Sequence, residues 1–89
     1  MLNVIFKYEL AHGINRIEMP SSARVISVAA QMNSPVLWAC LDNKRILTST
    51  RMFRVVITGE TFDRGEQEKY IGTLTCHNGI VMHVFEIES

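Results

Sequence analysis

The sequence predicts an all-β protein, an antiparallel meander of roughly six to seven strands forming a barrel or a two-sheet sandwich. Three observations carry that expectation. Apolar and polar residues alternate in short runs. Turn residues interrupt the runs about every eight to twelve positions. No segment sustains a helical period, although Val28-Ala29-Ala30-Gln31-Met32 admits a helix as a competing reading. The chain has 89 residues, which fits one domain, since single cores usually run to about 100–200 residues.

Leu2–Leu10 reads as a first strand, with Val4, Phe6 and Tyr8 on one face and Asn3, Ile5, Lys7 and Glu9 on the other. Ala11-His12-Gly13 turns the chain, and Ile14–Met19 alternates again until Pro20. In Arg24–Met32, Ile26, Val28, Ala30 and Met32 share a face. Both faces of that run are free of charge past Arg24, which predicts a central strand. Asn33-Ser34-Pro35 is the next turn, and Val36–Leu41 is apolar on both faces. Asp42-Asn43 has hairpin chemistry, with brief pairing expected over Lys44–Leu47 before Thr48-Ser49-Thr50. Arg51–Thr58 is a strand with Phe53, Val55 and Ile57 opposite Met52, Arg54, Val56 and Thr58. A polar loop follows from Gly59 to Lys69. Tyr70–Cys76 and Gly79–Glu88 close the chain, joined through His77-Asn78-Gly79, a strong hairpin signal.

Composition sets bounds on function. Hydrophobic residues make up 47% and charged ones 20%, as in globular proteins. A small body buries only about 60% of its unfolded surface, so this apolar surplus predicts a homo-oligomer. Nine Lys and Arg balance nine Asp and Glu. Phosphate-backbone binding normally shows as net basic charge, so nucleic acid is not the expected partner. No run approaches the roughly 18 apolar residues of a membrane span. The N-terminus lacks a signal-peptide pattern, and a cytoplasmic location is expected. Cys40 and Cys76 read first as buried thiols, with a disulfide or a shared metal left open. No spacing of His and Cys marks a metal site, no phosphate loop or catalytic motif is present, and no cofactor is expected.

The candidate contact residues are therefore chosen one by one. Trp38 lies among apolar residues and suits either the core or a stacking and anchoring role. Arg54 falls on an otherwise apolar face, so it must be paired with an acid or contact an anion. Arg51 flanks Phe53 from the other face. His83 shares a face with Val81 and Phe85, as a hydrogen-bonded histidine or as a ligand group. Gln31 and Tyr70 supply an amide edge and an aromatic ring. Glu60, Asp63 and Arg64 are the contact candidates of the long loop, since long loops on β scaffolds often carry function. A covalent triad from Cys76, His83 and Asp63 has no strained elbow or oxyanion donors to support it.

Collectively, several landmarks form a pattern: Lys7-Tyr8, Ile17-Glu18-Met19-Pro20, Ala23 to Val28, Pro35-Val36-Leu37-Trp38-Ala39, Arg51-Met52-Phe53, Tyr70-Ile71-Gly72-Thr73 and His83-Val84-Phe85-Glu86. Over nearly its whole length the chain resembles a family of short proteins found mostly in bacteriophages and prophages. The resemblance implies an accessory role in host takeover or counter-defence, in the cytoplasm of the host cell, and it carries no activity to particular residues. One departure is Ile57-Thr58-Gly59-Glu60, where such proteins often have a Gly-Thr-Gly-His-like turn. The leading expectation is non-catalytic binding to a host protein. The alternatives are sequestration of a nucleotide, such as a defence signal, between subunits, and a virion structural or assembly component.

Overall fold

The structure, a computed structural model, describes residues 2–42 and 47–88. Seven strands form: β1 (Asn3–Glu9), β2 (Gly13–Pro20), β3 (Arg24–Gln31), β4 (Ser34–Asp42), β5 (Thr48–Ile57), β6 (Glu68–Thr75) and β7 (Val81–Ile87). They build one three-stranded sheet ordered β1-β4-β3 and one four-stranded sheet ordered β2-β5-β7-β6, with every pairing antiparallel. The sheets do not close on each other, so of the two expected architectures the sandwich forms. A shortest extent of 15 Å fits two stacked layers, whose spacing is about 10 Å. Sequence neighbours pair only in the hairpins β3–β4 and β6–β7; the other links cross between sheets or skip a strand.

Alternation explains the core. On β4, Leu37, Ala39 and Leu41 point inward and have no exposed surface. They meet Phe53 and Val55 of β5, Val84 of β7 and Met19 of β2 in one apolar cluster. Burying side chains of this size contributes about 1.5–3 kcal/mol each. Val4 and Tyr8 of β1 pack against the same cluster, as their face predicts. Cys76 lies in it as well, whereas Cys40 sits on the other side of β4; both thiols are free.

Three expectations need correction. The central strand of its sheet is β4, and β3 is an edge. Its faces are free of charge past Arg24 because its inner side packs on the core and its edge lies beside β6. There Gly72 approaches so closely that an added Cβ would stand 2.8 Å from Val28 Cγ2. Second, a bulge between Val25 and Ser27 resets the alternation of β3. Val25, Val28 and Ala30 pack on the core, while Ile26 and Met32 are exposed. Third, the β3–β4 turn is Met32-Asn33, both with positive φ (56° and 89°), and Gln31 pairs with Ser34. Two positive φ values in succession match the twist that a tight hairpin requires.

The hairpin expected at Asp42-Asn43, and most of the pairing expected over Lys44–Leu47, lie outside the described residues. The strands on either side, β4 and β5, belong to different sheets. Strand β5 begins at Thr48, inside the expected break. The β6–β7 hairpin forms through His77-Asn78-Gly79, where Gly79 takes a φ of 88° and Cys76 N donates to Ile80 O at 2.8 Å.

Candidate functional site

Strand parity divides the candidate residues among three places. Arg54, Tyr70 and His83 point outward from the four-stranded sheet: Arg54 pairs in register with Phe85, and Phe85 with Tyr70. Trp38 points outward from the three-stranded sheet, and Gln31 lies on its edge strand β3. Arg51 faces inward at one end of the four-stranded sheet, beside Glu86.

The outer face of the four-stranded sheet is roofed by the segment 58–67. Phe62 of this segment packs against Phe85, ring centroids 5.5 Å apart. Arg54 lies 5.7 Å from the Phe62 centroid, and Arg64 lies 5.1 Å from that of Phe85. Arg54 Nε donates to Glu68 Oε1 at 2.8 Å, reaching across β7 to β6. The Glu68 side chain is only 2% exposed. Its carboxylate also accepts from the Gly65 N–H, and Arg64 donates to its carbonyl oxygen. The Arg54 hydrogen bond, helped by the Gly65 N–H, outweighs burial and holds this carboxyl below the usual range. Arg54 thus takes the ion pair, with a partner two strands away. Glu68, on sequence a loop charge, is the buried anchor of that loop.

His83 is held at both ring nitrogens: Nδ1 lies 2.9 Å from Thr73 Oγ1 and Nε2 2.6 Å from Thr58 Oγ1. The Tyr70 hydroxyl hydrogen-bonds Thr73 in turn. A neutral imidazole satisfies this chain by donating at one nitrogen and accepting at the other. It contains no carboxylate to orient the ring and no nucleophile. Cys76 is in the core on the opposite side, and Asp63 is exposed on the loop, so the three do not converge. Glu60 accepts from His12 Nε2 at 2.8 Å and from the Ile57 N–H, and both lower its carboxyl.

The outer face of the three-stranded sheet differs. Val36, Trp38 and Cys40 form a strip along β4, and Ile5 stands beside Cys40 with 56% exposure. Lys7 Nζ donates to Gln31 Oε1 at 2.6 Å across the sheet. Trp38 is half-buried here and lies outside the core cluster.

Arg51 ties the sheets together. It binds Glu86 through both Nε and Nη2, at 2.8 and 2.9 Å, and Nη1 donates to the Ala23 carbonyl just before β3. The Glu86 hydrogen bond raises the pKa of this guanidinium. Among the described residues, no group of three His, Cys, Asp or Glu side chains is placed to hold a metal ion.

A family model described as a domain of unknown function (DUF7352) matches residues 1–89. The chain belongs to this family. No curated protein and no solved structure matches it. For this DUF7352 domain, the geometry is therefore what bears on function. Sequence reasoning singled out Arg54, Tyr70, His83, Glu60 and Arg64, and the structure brings them to one side of the molecule. It missed Glu68, Phe62, Thr58 and Thr73, their partners; an aromatic within a charged loop was the one available signal. Glu86 was not singled out either, and Arg51 holds it half-buried.

Proposed function

We propose that this protein acts by non-catalytic binding to another protein, and that the contact is the outer face of the three-stranded sheet. The resemblance to short phage and prophage proteins suggests the setting, modulation of a host component. One observation carries the reading: exposed Ile5 and the partly exposed Trp38 and Cys40 form an apolar patch on the outer face of this sheet. A partly buried indole among apolar neighbours is what hot spots use. Lys7 and Arg24 border the strip together with Glu9. Mixed signs of charge suit a protein surface better than a polyanion.

The test is photo-crosslinking from position 5 and, as control, from position 14 on the outer edge strand β2, followed by binding of the purified captured protein. The expected result is one host protein crosslinked from position 5 only, binding the purified domain and weakened at least tenfold by Trp38→Ala. Equal capture from both positions overturns the reading. So does a crosslink only to a second copy of this chain.

A further inference from the structure

We propose that the groove between the edges of β3 and β6 binds a small phosphorylated molecule carrying a flat ring, of the nucleotide class, within one chain. The groove measures about 410 Å³ and is lined from β3 by Ala23, Arg24, Val25 and Ile26 and from the other sheet by Arg51, Lys69, Tyr70, Ile71 and Glu86. Small-molecule sites usually span about 300–1,000 Å³.

Two independent observations mark this place as built. Both edge strands carry a bulge, Val25/Ser27 on β3 and Tyr70/Gly72 on β6. The bulged residues, Ile26 and Ile71, both line the groove. Bulges re-aim side chains and are common beside functional sites. Next to them the edges are pinned by the close approach of Gly72 to Val28, which fixes the width of the cleft.

The second observation is charge. On a chain of zero formal charge, the groove gathers three cations and one carboxylate. Arg51 and Glu86 neutralise each other in a two-bond pair. That leaves Arg24 and Lys69, one on each wall, and neither makes an ion pair among the described residues. Two cations without an ion-pair partner that line one cleft, one from each sheet, suit a phosphate dianion.

Tyr70 lines the groove from β6 and supplies the ring platform at its rim, on the outward side of the sheet. It is 50% exposed, yet its orientation is set by an edge contact to Phe85 at 5.7 Å and by its hydroxyl on Thr73. A ring already held loses little freedom when a base stacks on it. Ile26, 51% exposed, offers an apolar contact from the opposite wall.

Isothermal titration with adenosine, AMP, ADP and pyrophosphate tests the site. The expected result is saturable binding of AMP or ADP at least tenfold tighter than adenosine. Arg24→Ala with Lys69→Ala weakens it tenfold or more, and Arg16→Ala on β2 leaves it unchanged. Tyr70→Phe keeps most of the affinity, while Tyr70→Ala loses several-fold for the nucleotides only. These cations are exposed and unpaired, so their removal leaves the thermal midpoint in place, which a melt of each variant verifies. No binding up to millimolar nucleotide overturns the proposal, as does binding indifferent to the Arg24/Lys69 double variant. Pyrophosphate binding as tightly as ADP overturns the nucleotide class, because the ring would then contribute nothing.

Discussion

The two sheets of this sandwich present outer faces of opposite character. On the four-stranded sheet, Phe85 is buried under Phe62 and Arg64, and Arg54, Glu68, Thr58, Thr73 and His83 satisfy one another. On the three-stranded sheet, Lys7 donates to Gln31 across the face, and exposed Ile5 stands beside Cys40 and near the partly exposed Trp38. All three described ion pairs belong to the roofed half. The conspicuous charges of the sequence hold the fold together. The proposed binding face is therefore the other one, where Ile5 is exposed and Trp38 and Cys40 are partly so.

Breaking the roofed face should cost most. Glu68→Ala removes the acceptor of Arg54 and of the Gly65 N–H from a nearly buried position. Leaving a half-buried guanidinium without its partner costs about 3 kcal/mol, read as a lower midpoint in urea unfolding. Acid should approach the same state. Because the folded pKa of Glu68 is depressed, its contribution is complete above the unfolded value of about 4.3. It is lost as pH falls through the folded value. The stability gap between wild type and Glu68→Gln should therefore narrow below about pH 4; a gap constant from pH 7 to pH 3 would show that the pair is not ionic.

A smaller effect is expected from Phe62→Ala. The ring is partly exposed, yet it packs on Phe85 and beneath Arg54. Removing it should cost about 1–2 kcal/mol and open the segment 58–67 to faster amide exchange at Gly65. Unchanged exchange there would mean that Glu68 alone holds the roof.

Fold class was legible because alternation is a local property. Phe53, Val55 and Ile57 against Arg54 and Val56 read correctly from spacing alone. The rank of β3 was not legible, since Val25-Ile26-Ser27 contains a bulge that no residue type announces. The alternation reset there, and Ile26 moved from the expected core face to the wall of a groove. Sheet order was hidden for a related reason: pairing β2 with β5 and β1 with β4 depends on contacts between segments far apart in sequence. The site was half legible. Arg54 demanded a partner on principle, but nothing local pointed across β7 to Glu68.

The smallest effect separates structure from binding on the bare face. Ile5 sits on the edge strand β1, exposed, beside Cys40. Ile5→Thr keeps the β-branched shape that a strand favours and removes one apolar contact with solvent. Its stability should lie within about 0.5 kcal/mol of wild type, while affinity for the captured partner should fall several-fold. Glu68→Ala should show the converse in its folded fraction, a large loss of stability with affinity for that partner retained. If Ile5→Thr instead destabilised the fold as Glu68→Ala does, the strip would be a second structural face, and the asymmetry between the two sheets would carry no functional meaning.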